Sequence, residues 1–328
     1  MPLGRPNRRA FIGALGGAAA GWPLVARAQQ PAMPVIGFLN PGPPSPNGVV
    51  TVRFRQGLAE AGYVEGRNIL IEYRWANWQW SRLPILAADL VNRQVAVIVS
   101  TMFASPTLAA KAATSTIPIV FVTGGDPVKA GFVANLNRPG ANITGMAATN
   151  SELGGKRLSL LCDLVPQLAK VAFLSGTGPD DPNTQNSQLL EAARALGRQV
   201  VFVFARNERY YEEVFASIVE ERVGALIVGA FQFSHKIVQL AALHRIPTIY
   251  PRRDYVEAGG LMSYAAGYGE IYRQVGIYTG RILKGEKPAD LPVILPSKFE
   301  LIINLNTAKA LGIEVPPSLL ATADEVIE

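Results

Sequence analysis

Two stretches of the chain match each other: STIPIVFVTGGDPVKAGFV (115–133) and HRIPTIYPRRDYVEAGGLM (244–262). Pro118 corresponds to Pro247, Asp126 to Asp254 and Gly131 to Gly259, at an offset of 128 or 129 residues. Each begins with a short apolar run after an Ile-Pro step and ends in an Ala-Gly turn. Working outward, the same succession surrounds both. VIGFL (35–39), ILIEY (69–73) and VAVIV (95–99) precede the first; KVAFLS (170–175), QVVFVFA (199–205) and GALIVG (224–229) precede the second. Between them lie segments with apolar residues at helical spacing, such as Phe54, Leu58 and Ala61. Short β-rich runs alternating with amphipathic helices predict βαβ units and parallel sheets. The repeat predicts two similar doubly wound α/β lobes.

The chain begins MPLGRPNRRAFIGALGGAAAGWPLVARAQQ, with no Asp or Glu before Glu60. Arg8 and Arg9, a short Gly/Ala-rich apolar stretch and Ala26-Arg27-Ala28 have the layout of an export signal over residues 1–28. N-R-R-A-F-I resembles a twin-arginine address, with cleavage expected after Ala28 and a periplasmic destination. Residues 1–28 hold four arginines and no acid, so their removal takes the net charge from +6 to +2. The basic balance is thus weak grounds for a nucleic-acid partner, and none is expected. With 49% hydrophobic and 17% charged residues the chain can fill two cores. Cys162, the single cysteine, sits in an apolar helical pattern and reads as a buried thiol. Two histidines, His235 and His244, are too few for a His-based relay or a dedicated transition-metal site. No catalytic residue, metal or cofactor is expected.

Open parallel sheets bind ligands beyond the carboxyl ends of their strands, and two facing lobes can close on a small molecule. The strand ends therefore supply the candidates. In the first lobe these are Asn40, Ser100, Thr101, Ser105, Thr123, Gly124, Gly125 and Asp126. Ser105-Pro106 has the pattern of a helix start, with Ser at N-cap and Pro at N1, whose free N–H groups suit a carboxylate. In the second lobe they are Asn183, Phe231, Tyr250, Arg252 and Asp254. An aromatic at Phe231 or Tyr250 suits a flat ligand; Asp254 suits an ammonium and Arg252 a carboxylate. Bland readings stand beside these. Ser105 can be a cap alone, T-G-G-D-P a tight turn, and Asp126 and Asp254 equivalent structural caps. W-A-N-W-Q-W (75–80) either walls the cleft, contacts a membrane partner or covers an edge strand.

FRQGLAEAGYVEGRNILIEYRWA (54–76), IPIVFVTGGDPVKAGFVANLNRPGANITG (117–145), GRILKGEKPADLPV (280–293) and FELIINLNTAKALG (299–312) together resemble ABC-transporter solute-binding proteins of the type I periplasmic-binding fold, a group with relatives that take aromatic amino acids. The resemblance covers nearly the whole chain. It implies capture of a small solute, plausibly an amino acid or aromatic acid, by a monomer that delivers it to a permease driven by an ATPase. It also implies a hinge of three crossings, expected near Ala148, Ile249 and Leu291. That gives a first lobe of residues 33–148 plus 249–290 and a second of 149–248 plus 291–328, with GGLMSYA (259–265) returning to the first. Two rivals remain. An exported oxidoreductase would carry a G-x-G-x-x-G turn after its first strand, where FLNPGPPSPNG stands instead. An extracytoplasmic sensor of the same fold is distinguished only by the presence of a permease and ATPase.

Overall fold

The computed structural model describes residues 33–148, 153–176, 187–229 and 234–328. The signal-like leader lies outside them, as do Asn183 and Phe231. The chain winds first through β1 (Val35–Asn40), α1 (Val49–Glu60), β2 (Leu70–Trp75), α2 (Leu83–Asn92), β3 (Val97–Ser100), α3 (Ala104–Ala113), β4 (Ile119–Thr123) and β5 (Ile143–Ala147). It continues through α4 (Gly154–Leu164), β6 (Lys170–Ser175), α5 (Ser187–Ala195), β7 (Gln199–Phe204), α6 (Tyr211–Glu220), β8 (Ala225–Val228), α7 (His235–Leu243), β9 (Thr248–Tyr250), α8 (Arg253–Glu257) and β10 (Met262–Ala266). Then come α9 (Tyr268–Leu283), β11 (Phe299–Asn304), α10 (Leu305–Leu311), α11 (Pro317–Thr322) and β12 (Glu325–Ile327). Pro34–Glu328 forms one compact unit.

The first sheet has the order β2-β1-β3-β4-β5, all parallel. The second runs β12-β11-β10-β9-β8-β6-β7. Read from β7 to β10, the second sheet repeats the winding of the first. Each sheet is covered on both faces, which is why its strands read as near-continuous apolar runs. Side chains alternate across the pleat: Ile36 and Phe38 pack on one face of the first sheet and Leu39 on the other. In β6, Val171 and Phe173 face one core while Ala172 and Leu174 face another. The repeat also fixes its turns. Gly131 (φ +70°) and Gly259 (φ +99°) both adopt the left-handed backbone that L side chains rarely accept. Among the described residues, no helix is long and apolar enough to cross a membrane.

Two of the expected crossings need correction. GGLMSYA does not return to the first lobe: β10 pairs with β9 in the second sheet, so that crossing falls at Ala266–Tyr268 rather than near Ile249. The third falls after Ile294 rather than near Leu291, because Leu291 and Val293 pack in the cores of the first sheet. Ile294 lies alongside β5, its N–H donating to the Gly145 carbonyl (3.0 Å) and its carbonyl accepting from Ala147 (3.0 Å). β11 is antiparallel to β10, with Phe299 opposite Ala266. The reason is geometric. The chain leaves the second sheet at the carboxyl end of β10 and re-enters at that same end, so the next strand must run backwards. The third crossing is thereby anchored on β5 at one end and beside the end of β10 at the other.

Helix α9 lies against α1 with almost no side chain between them. A Cβ on Gly57 would stand 1.8 Å from the Arg273 carbonyl oxygen, and one on Gly276 would stand 2.2 Å from that of Phe54. Ile271, Val275, Tyr278 and Ile282 of α9 then join Phe54 and Leu58 in the core of the first sheet.

Candidate functional site

A cavity of about 850 Å³ opens between the two sheets. On the first sheet it meets the carboxyl ends of β1 and β2 and the turn after β3, at Asn40, Trp75 and Met102. On the second it meets Arg252 and Asp254 beyond β9, Ser263 on β10 and Glu300 on β11. The crossing Ala266–Gly269 forms part of its wall.

The first wall is built around a strained turn. Asn77 (φ +53°) and Trp78 (φ +60°) are consecutive non-glycine residues in the left-handed region, each an unfavourable conformation that persists only when its surroundings over-determine it. Three backbone bonds do so: Ala76 N–H donates to Asn40 (2.9 Å), Asn77 to Gly42 (3.0 Å) and Trp78 to Pro41 (2.7 Å). The result lays the Trp78 indole over Gly42, where a Cβ would come within 3.2 Å of the ring. Asn40 holds the same loop, its Oδ1 accepting from Gly42 N–H at 2.7 Å. Met102 (φ +74°) is a third left-handed residue, at the centre of a tight turn closed by Phe103 N–H on the Thr101 carbonyl (3.0 Å). Trp75 stacks on Tyr73 (6.0 Å between centroids, 8° between planes), and Trp78 meets Phe103 edge-on at 6.4 Å. Both indoles line the cavity, and β2, which ends in Trp75, is the edge strand of its sheet.

The opposite wall is charged. Arg252 Nε donates to Asp254 Oδ1 at 3.1 Å and its terminal amino group to Oδ2, a two-pronged pair. The guanidinium also lies over the Tyr255 ring, 5.9 Å from the centroid. Burial works against the Arg252 charge, but the Asp254 hydrogen bonds and charge more than offset it and hold the group above its ordinary pKa. At the cavity edge, Arg273 donates to Glu270 (2.8 and 2.7 Å) and that pairing holds the carboxyl down to about 2. Among the described residues that line the cavity, four arginines (53, 252, 253, 273) stand with four acids (254, 257, 270, 300).

Of the candidates read from strand ends, Asn40, Arg252 and Asp254 meet at this cavity. The other described candidates lie elsewhere. Ser100 is buried with its hydroxyl 2.9 Å from that of Thr107 on α3, and Thr101 donates to the Leu39 carbonyl (3.3 Å). Ser105 is not an N-cap: α3 begins at Ala104 after Phe103, which places Pro106 third in the helix. Thr123 accepts from Gly125 N–H (3.2 Å), so Thr123, Gly124 and Gly125 form a local turn away from the cavity. Asp126 accepts from Val128 and Lys129 N–H (2.8 and 3.1 Å). The matched aspartates therefore differ: Asp126 closes a turn, whereas Asp254 faces the cavity. Tyr250 is 1% exposed and stacked on Tyr255 (4.9 Å, 16°) inside the second core, so it cannot meet a ligand there. Met102, Ser263 and Glu300 were not foreseeable from strand ends. Trp75 was, since it ends β2 just as Asn40 ends β1.

Two doubly wound sheets, three crossings between them and a cavity at the strand ends define a two-lobed solute-binding protein of the type I periplasmic-binding fold. The chain belongs to the ABC transporter substrate-binding protein family, whose model matches residues 50–327. That family is one of solute-binding proteins, not enzymes. The chain is 28% identical over 270 residues to a tyrosine-binding protein of Clostridioides difficile (strain R20291), covering 80% of this chain and 76% of that one. Among solved structures it is similar to an ABC domain in complex with L-Trp from Streptococcus pneumonia, with a TM-score of 0.81, 24% identity, and 90% of this chain and 99% of that one covered. It is also similar to a ligand-free, open substrate-binding protein with adhesive properties from Clostridium difficile, with a TM-score of 0.68, 24% identity and the same coverage, 90% and 99%.

Proposed function

We propose that this protein captures an aromatic amino acid as the solute-binding component of an ABC importer. The ring lies against Trp75 and Trp78, and the amino-acid end reaches the Arg252–Asp254 pair. The observation that carries this reading is one cavity with indoles on one wall and a charge pair on the other. Its volume of about 850 Å³ falls in the range of small-molecule sites, about 300–1,000 Å³. The names of the tyrosine-binding relative and of the L-Trp complex support the same ligand class. The loaded protein, acting as a monomer, presents its lobe tips to a membrane permease driven by an ATPase. It does so in the periplasm, after export by the twin-arginine leader and cleavage after Ala28.

The test is a thermal-shift titration of the purified protein, first stripped of carried-over ligand, with L-tyrosine, L-tryptophan, L-leucine and a sugar. A ligand of the native state stabilises it by about 2.7 kcal/mol at a hundredfold excess over Kd. At least one aromatic amino acid is expected to raise the melting temperature by several degrees, with leucine weaker and the sugar inert. A sugar shift without an aromatic one would refute the assignment.

A further inference from the structure

We propose that Ser263 and Glu300, diagonal neighbours on the floor of the cavity, form a second polar subsite that takes a hydroxyl on the ligand's ring, so that the site selects a phenolic amino acid over one with an unsubstituted ring. The proposal deepens the amino-acid reading above and rests on it. It concerns the far end of the ligand, not the end at Arg252 and Asp254.

β10 and β11 are antiparallel neighbours, with Ser263 opposite Ile302 and Ala265 opposite Glu300. Side chains alternate across the pleat. Met262, Tyr264, Leu301 and Ile303 pack in or against the core beneath, which leaves Ser263, Ala265, Glu300 and Ile302 as one face on the cavity. Ser263 is 1% exposed, yet its hydroxyl has no hydrogen-bond partner among the described residues. Nor has the Glu300 carboxylate. The other three acids of the cavity wall are paired: Asp254 with Arg252, Glu257 with Arg253 and Glu270 with Arg273. Buried polar groups normally find partners, so two that lack them on one cavity face point to a ligand. The chain also leaves room there. A Cβ on Gly267, in the crossing to the first sheet, would stand 3.1 Å from Glu300 Oε1. Solvent can serve both groups while the cleft is open. Closure removes it, and a buried carboxylate without a donor is strongly unfavourable. One hydroxyl answers both needs, donating to Glu300 and accepting from Ser263. An indole N–H answers only Glu300, and an unsubstituted ring answers neither. Ala265 and Ile302 give the same face apolar surface for the ring edge. Placement agrees. Ser263 pairs with Tyr250, and Arg252 follows two residues beyond it. β9 and β11 flank β10, about 5 Å to either side. A ligand held at Arg252 and Asp254 and extended across β10 therefore brings its far end to Glu300.

Calorimetric titration with L-tyrosine, L-tryptophan, L-phenylalanine and O-methyl-L-tyrosine tests this, the last keeping the ring oxygen without its proton. The wild-type protein is expected to bind L-tyrosine about 30-fold or more tightly than L-phenylalanine or the methyl ether, the scale of a hydrogen bond to a charged group. Glu300→Met, close in size and without the carboxylate, is expected to abolish that preference, weakening L-tyrosine about 30-fold and moving L-phenylalanine by no more than about threefold. Ser263→Ala is expected to weaken L-tyrosine about tenfold. L-phenylalanine binding within about threefold of L-tyrosine in the wild type, well inside what one such hydrogen bond confers, overturns the proposal without any variant. It therefore remains testable if Glu300→Met fails to fold. Binding of L-tryptophan without binding of L-tyrosine also overturns it. So does a folded Glu300→Met protein that weakens L-tyrosine and L-phenylalanine equally, while leaving amino-acid capture intact. If the wild type binds none of the four, and no aromatic amino acid shifts its melting, the function itself is wrong and this inference falls with it.

Discussion

Replacing Trp78 with glycine is expected to weaken binding of an aromatic amino acid about 30-fold while moving the melting temperature of the empty protein by no more than a few degrees. The two effects separate because the indole does two things. Its ring forms part of the cavity wall, and an aromatic contact contributes about 0.5–1.5 kcal/mol beyond the area it covers. Together with the apolar area lost, that makes about 2 kcal/mol, or roughly 30-fold in Kd. Its backbone, however, is held left-handed at φ +60°, a conformation that costs a non-glycine residue about 1–2 kcal/mol and glycine little. Relief of that strain offsets the lost edge contact with Phe103. The check is a paired measurement, affinity by calorimetry and melting by circular dichroism. Unchanged affinity for the aromatic ligand would show that the ring does not touch it.

The largest stability effect is expected at Gly57. Its added Cβ in Gly57→Ala would fall 1.8 Å from the Arg273 carbonyl oxygen. The obstacle is the backbone of a sixteen-residue helix that is itself anchored in the core, so no side chain can swing aside. Overpacking costs typically about 1–3 kcal/mol, and a clash with backbone belongs at the upper end, about 3 kcal/mol. Alanine's better helix propensity returns only about 1 kcal/mol. Gly124→Ala is the control, since nothing stands within 4 Å of its Cβ. Chemical denaturation should show a clear loss for the first and almost none for the second. Equal stabilities would mean that α1 and α9 separate without cost. Because α9 carries the chain back from the second sheet, the same clash should also disturb the cavity wall at Tyr268–Glu270.

The winding of both sheets was legible because strands buried on two faces leave little choice of residue. VIGFL, VAVIV, IPIVFV and GALIVG each lie in a central or near-central strand. The place of β10 was not legible. Met262–Ala266 is apolar enough for either lobe, and its partner is decided by which sheet edge β9 leaves open. The antiparallel run of β11 follows from that same choice and leaves no mark in F-E-L-I-I-N.

At the site, strand ends were a sound guide to the neighbourhood but not to the face. Tyr250 ends β9, yet its ring turns under α8 onto Tyr255. Ser100 ends β3, yet its hydroxyl turns to α3. Asn40, Arg252 and Asp254 line the cavity because each lies where the chain leaves its sheet toward the cleft. The left-handed turns at Asn77–Trp78 and Met102 could not be read from residue type, since neither carries the glycine that such a backbone favours.

A crystal structure of the protein grown with L-tyrosine or L-tryptophan tests the central claim most directly. The account predicts the amino acid in the cavity between the sheets, its ring in van der Waals contact with Trp75 or Trp78, its carboxylate on Arg252 and its ammonium on Asp254. A bound amino acid outside that cavity, or inside it with the Arg252–Asp254 pair unopened, would contradict it.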